Sequence, residues 1–213
     1  MSATLISTTS NYMAAHIEKY NPEKSIKAWE EVHDSISLNK LNSSMALAIY
    51  TNLSDSYFML GKYHDALKWV NKILNFKEKN IFDLQAITRI YVLLVHYELG
   101  NYDMLPYIAK SSKRFLIKHN YFSEFEKIMI HFFEKEISKT NNQREQSEVF
   151  VQLRKQLEEL LKNTKQIQAL DYFDYMSWIE SKIENRPFVE IVKSRQRTDS
   201  QGAEKVQLSS IEK

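Results

Sequence analysis

Apolar residues recur every three or four positions through most of this chain, and short polar breaks divide the pattern into helix-length runs. Ile49, Tyr50, Leu53, Tyr57 and Leu60 mark one run; Ala66, Trp69, Val70, Ile73 and Leu74 mark the next. Gly61 stands between them, where a residue able to take positive φ ends a helix at little steric cost. Together they predict a helical hairpin. The pattern returns with Ile87, Ile90, Tyr91, Leu94 and Val95, a stop at Leu99-Gly100, and then Tyr102, Leu105, Ile108, Ala109 and Phe115. Pro106 falls early in that last run, where first-turn N–H groups have no intrahelical partner to lose.

Both hairpins carry Leu-Gly-x-Tyr, with 39 residues from Gly61 to Gly100. A fainter copy, Asn21 to Ile36, places Ala28 38 residues before Ala66. Periods of this size predict stacked helix pairs. Further runs over 121–137 and 146–163 predict a fourth, divergent hairpin. The segment Gln166 to Asn185 reads as one capping helix. Its Ile167, Leu170, Phe173, Met176 and Ile183 would seal the stack, leaving Tyr172, Tyr175, Trp178 and Ile179 turned away. An exposed patch of that kind predicts self-association, or docking of a partner, through the C-terminal helix. The alternative is that the start of the tail, Pro187 to Val192, folds back over it. Beyond Pro187 the chain turns polar. The expected division is a helical repeat domain over 1–186 and a disordered tail over 187–213.

The stretch "ALAIYTNLSDSYFMLGKYHDALKWVNKIL" resembles a tetratricopeptide repeat. Tyr50, Leu53, Ser54, Tyr57, Gly61, Tyr63, Ala66, Val70, Ile73 and Leu74 occupy the positions that family fills with bulky, small and turn residues. The units here are four or five residues longer than the family's, Leu105 stands where the second copy should be small, and the closing proline is absent. The ending "DYFDYMSWIESKIENRPF" also resembles the C-terminal part of longer bacterial tetratricopeptide proteins without assigned activity. The resemblance implies an all-α, right-handed α-solenoid of about four helical hairpins with a C-terminal capping helix. It also implies a concave groove lined by the first helix of each pair. That groove would use Asn52, Asp55, Phe58 and Met59 from one hairpin, and Ile90, Tyr91, Leu94 and Tyr97 from the next, to hold a protein or peptide. The alternative is that the array curls tightly and buries these residues against its own helices. The resulting expectation is a non-catalytic interaction scaffold. The alternative is a peptide-responsive regulatory domain of a larger bacterial system.

Composition narrows the chemistry. Only three Gly and three Pro disfavour a hairpin-rich β fold. The 29 basic and 27 acidic residues nearly cancel, giving no broad footprint for nucleic acid or an anionic membrane. With no cysteine there is neither disulfide nor thiolate chemistry. The six histidines are scattered, with none four residues from another, so no helical pair presents itself to a metal. Ser54 reads as a packing residue, and Asp171, Asp174, Glu180 and Glu184 as exposed acids. Neither a cofactor nor catalysis is expected. Lys110, Lys113, Arg114, Lys118 and His119 form a basic stripe that reads as a solvated helix face. The start "MSATLISTTS" lacks the features of a signal peptide, and no apolar run is long enough to span a membrane, so a cytoplasmic protein is expected.

Overall fold

The computed structural model describes residues 3–18, 21–35, 41–78, 81–140, 142–163 and 167–195. Among these residues every regular element is helical and none is a strand. The principal helices are α1 (Ala3–Glu18), α2 (Pro22–Glu30), α3 (Ser43–Met59), α4 (Tyr63–Leu74), α5 (Phe82–Glu98), α6 (Leu105–Lys118), α7 (Glu124–His131), α8 (Gln143–Asn163) and α9 (Tyr175–Ile183). A further helix, α10, covers 188–195. Helices adjacent in sequence pack on one another from α1 through α9, and α1 also touches α3.

The helix ends explain this hairpin order. Gly61 takes φ +69° and Gly100 φ +73°. At the first, the Gly61 N–H donates to Phe58 O and the Lys62 N–H to Tyr57 O. At the second, Gly100 donates to Tyr97 O and Asn101 to His96 O. These paired bonds satisfy carbonyls that the helix end would leave open, and they need a left-handed residue at the turn. Asn120 (φ 64°) and Asn185 (φ 51°) end α6 and α9 in the same way, with Tyr121 donating to Leu116 O and Arg186 to Ser181 O. Asparagine tolerates this region better than most side chains, yet it signals a stop less clearly than glycine.

Starts are equally explicit. Asn42 accepts from the Met45 N–H at 2.9 Å, Asn142 from Glu145 at 3.0 Å and Asp174 from Ser177 at 2.8 Å. Glu126 reaches back to the Ser123 N–H at 3.0 Å before α7. Each bond satisfies one orphan donor of a first turn.

Three expectations change here. The capping helix does not run from Gln166. Residues Gln168–Asp171 form a 3-10 turn, and α9 begins only after the Asp174 cap. Counted from that start, Tyr175, Trp178 and Ile179 stand at i, i+3 and i+4 and share one face, which is fully buried. Phe173, Met176 and Ile183 are only half-buried. The face assignment is therefore inverted, because residues before the cap do not share the helix's phase. The domain boundary at 187 also shifts. Within α10, Phe188, Ile191 and Val192 are buried, so the packed region extends at least to them. Residues 196–213 of the expected tail lie outside the described residues. Finally, the run over 121–137 is not one helix. It passes from α7 into a π-helical segment, Phe132–Glu136, and a 3-10 turn, Ile137–Lys139.

The core has two parts. A small cluster gathers Met13, Trp29, Ile49 and Leu53 between α1, α2 and α3. The small residue buried at the α2–α3 contact is Ser25, whose Oγ accepts from Ser56 Oγ at 2.8 Å, while Ala28 is half-buried. A larger cluster runs from Phe58 and Ala66 through α5, α6 and α7 to Trp178 and Val192. Trp178, Tyr175, Phe58, Phe125, Phe132, Phe133 and Phe150 are its largest fully buried side chains. Each contributes about 1.5–3 kcal/mol by leaving water.

Candidate functional site

The expected groove face of α3 and α5 exists as a surface of the helices, and the chain fills it. Phe58 is buried among Tyr63, Tyr91, Phe173 and Phe188, with ring centroids 5.2 to 5.8 Å apart. Tyr91 meets Phe173 at 5.1 Å, and Phe173 stacks on Phe188 at 5.3 Å. Further along, Tyr97 lies edge-on to Trp178 at 5.8 Å and to Phe150 at 5.4 Å. Met59, Ile90 and Leu94 are buried as well. The segment covering this face comprises Phe173, α9 and α10.

The polar members of the expected groove are bonded within the molecule. Asn52 turns toward α1, where its Nδ2 donates to Ser10 O at 3.0 Å and to Ser10 Oγ at 3.2 Å. That fixes α1 against α3. Tyr97 donates from its hydroxyl to Gln146 Oε1 at 3.4 Å.

Asp55 is half-buried overall, but its carboxyl is enclosed. Burial pushes that carboxyl up to about 7, against the opposing hydrogen bonds from Tyr91 and Ser54. Tyr91 is raised in turn, chiefly by burial and then by the Asp55 charge. Tyr175 of α9 completes the cluster. It is fully buried, raised by burial and by the charges of Glu126 and Asp55, and its hydroxyl has no hydrogen-bond partner within the protein.

A second polar knot joins α5 to α9. Glu98 Oε1 accepts from Trp178 Nε1 at 2.6 Å and lies 2.5 Å from Lys182 Nζ. The Glu98 side chain is only 8% exposed and that of Lys182 20%. Tyr63 also borders this carboxylate, and its hydroxyl is raised by burial first and Glu98 second. Arg154 of α8 binds Glu180 of α9 at 2.9 Å. A charged pair taken this far from water requires close geometry and additional donors, and Glu98 has both.

The four residues expected to form an outward interface divide sharply. Tyr172 remains exposed, whereas Tyr175, Trp178 and Ile179 are buried. A self-association surface built on all four is therefore not available. Trp178 became an inward anchor because its indole N–H finds Glu98, 80 residues away in sequence. Local periodicity carries no signal of that pairing. Lys182, Phe173 and Phe188 were missed as groove-covering residues for the same reason.

Away from this face, an open cleft of about 970 Å³ lies between α6, α7 and α8. Its apolar floor is Phe122, Ile128, Ile130 and Leu160. Two of the acids at its rim are paired with neighbouring lysines, Glu124 with Lys127 and Glu159 with Lys162. Among the described residues no group of three or more His, Asp or Glu side chains is placed to hold a metal ion. No helix there is long and apolar enough to cross a membrane. Compared with known proteins, the chain matches no family model, no curated protein and no solved structure.

Proposed function

We propose that this protein is a non-catalytic interaction module of tetratricopeptide-like helical hairpins, stacked as a right-handed solenoid, whose groove face is closed by its own C-terminal helices. The observation that supports this reading is the nature of the contact between α3/α5 and the segment from Phe173 through α10. It combines stacked aromatics with an enclosed acid, Asp55, and a buried Glu98–Lys182 pair. Aromatic anchors surrounded by hydrogen-bonded charge are how a helix is recognised in a groove. In this reading α9 and α10 are a ligand held in cis. The regulatory alternative follows from the same contact: a competing helix would displace α9 and α10, and that displacement would be the signal.

Fluorescence anisotropy of a labelled peptide spanning residues 173–192 tests the reading against the full-length chain. The intact chain should bind it weakly, because the internal copy competes at high effective concentration. A Phe173→Ala/Phe188→Ala chain, whose internal copy is weakened, should bind it about tenfold more tightly. If neither chain binds the peptide while both remain folded by circular dichroism, the face is permanent core and the proposal fails.

A further inference from the structure

Among the described residues seven large hydrophobic side chains are exposed, and four of them, Tyr102, Met104, Tyr107 and Ile117, lie on α6 or the turn leading into it. Tyr107 is the most exposed of all, at 76%. The same helix carries Lys110, Lys113, Arg114 and Lys118, and it has no acidic residue. None of these four cations forms an ion pair with another of the described residues. Elsewhere surface cations are commonly neutralised, as in Lys68–Asp65, Lys127–Glu124, Arg144–Glu148 and Lys162–Glu159. Lys113 leans over the Phe122 ring at 5.7 Å, toward the cleft beside α7.

The other three cations share one outward stripe. Tyr107, Lys110, Arg114, Ile117 and Lys118 are all exposed and recur at i, i+3, i+7, i+10 and i+11. The inward face is complete without them, since Leu105, Ala109, Ser112 and Leu116 are buried against the core. At 1.5 Å per residue the stripe runs about 16 Å, three helical turns. Asp103, before the helix, is the acid nearest to it in sequence.

We infer that the outward face of α6 is a docking surface for an acidic, amphipathic helical segment of another protein. Charge complementarity selects the partner's acids: carboxylates one turn apart would meet Lys110, Arg114 and Lys118 in succession. The apolar ends of the stripe select its apolar residues, because Tyr107 and Ile117 gain only from leaving water. That second requirement favours a protein over nucleic acid, whose phosphates would satisfy the cations and leave Ile117 uncovered. The whole chain points the same way, since its net charge of +2 provides no extended field around the stripe. This surface is separate from the α3/α5 face and does not depend on whether α9 and α10 leave it.

The probe is a synthetic helical peptide of about four turns with Glu at i, i+4 and i+8 and Leu at i+3 and i+7, set beside a scrambled peptide of equal composition. Binding to the full-length chain is read by anisotropy at an ionic strength of about 0.1 M. The ordered peptide should bind at least about tenfold more tightly than the scrambled one. A Lys110→Glu/Arg114→Glu/Lys118→Glu chain should lose that binding by about tenfold or more, and a Tyr107→Ala/Ile117→Ala chain should lose the preference for the ordered peptide. The Phe173→Ala/Phe188→Ala chain should bind the probe as the wild type does, which separates failure of this inference from failure of the groove reading. Equal binding of both peptides, no binding, or unchanged binding by the charge-reversed chain overturns the inference. So does tighter binding of a single-stranded oligonucleotide or a phosphatidylserine vesicle than of the ordered peptide.

Discussion

The helices α4 and α6 follow the same Leu-Gly-x-Tyr turn and then diverge. After Gly61, α4 begins at once at Tyr63, and Ala66 is fully buried. After Gly100, a 3-10 turn over Tyr102–Met104 intervenes before α6 starts at the fully buried Leu105. Leu105 holds the repeat position of Ala66, and the extra turn accompanies the larger side chain there. Their outer faces differ too. On α4, Lys68 pairs with Asp65 at 2.8 Å and Lys72 lies over the Trp69 ring at 4.4 Å. On α6 the cations form no ion pair with the described residues, and Tyr107 stands in solvent. The preceding helices diverge as well: adding 39 to Asp55 and Met59 gives Leu94 and Glu98. The outer faces of α4 and α6 thus differ although the turns before them match, while α3 and α5 both take part in closing the fold.

The largest test of this contrast uses two tryptophans. Trp178, fully buried on α9 against Tyr97 and Phe150, should cost about 3–5 kcal/mol on replacement by Ala. Trp69, half-buried on α4, should cost about 1–2 kcal/mol, since less of it leaves water. Urea denaturation midpoints rank the two, and equal costs would mean that α9 is not seated on the second hairpin.

Next comes the crossing position. Ala66→Phe should destabilise by about 1–3 kcal/mol, because a fully enclosed methyl site has no room for a ring. Leu105→Phe, at a site already spaced for a large side chain, should cost less than about 1.5 kcal/mol. Thermal melts of both variants check the order. A reversed order would undo the repeat alignment.

Asp55 sharpens the comparison through pH. Its folded carboxyl titrates at about 7, far above the ordinary carboxylate range. Between those values the folded state holds a proton that the unfolded state has released, so wild-type stability should fall as pH rises through that window and level off above it. Asp55→Asn, or Asp55→Leu to copy the second hairpin, should remove this slope. Stability measured from pH 4 to pH 8 in wild type and variants shows it as a difference curve; a flat difference contradicts the enclosed carboxyl.

The smallest effect is at the surface. Lys68→Ala should lower stability slightly by removing an exposed i, i+3 pair, and Arg114→Ala should cost nothing measurable, having no pair to lose among the described residues. A stability loss at Arg114 would show that the α6 stripe serves the fold.

Much of the helical structure was legible in the sequence. Gly61 and Gly100 carry positive φ because few other residues do so cheaply, and flanking periodicities of three and four placed α3 to α6. Asn120 and Asn185 make the same stop, but asparagine has several other uses in a chain. The phase of α9 was lost because Asp174 was read as an exposed acid and not as a cap. Closure of the groove was an open alternative in the sequence, and the residues that close it were not legible. It depends on pairings such as Phe58 with Phe188 and Glu98 with Trp178, which no local pattern encodes. The basic stripe of α6 was visible as a pattern, and the lack of ion pairs between it and the described residues became visible only in three dimensions.

The seating of α9 against α5 is the centre of this account, and tryptophan fluorescence measures it directly. In a Trp29→Phe/Trp69→Phe chain the remaining emission comes from Trp178, since the sequence has three tryptophans. The account predicts blue-shifted emission resistant to acrylamide, becoming red-shifted and readily quenched on unfolding. Emission and quenching of a solvated tryptophan in the folded chain would contradict it.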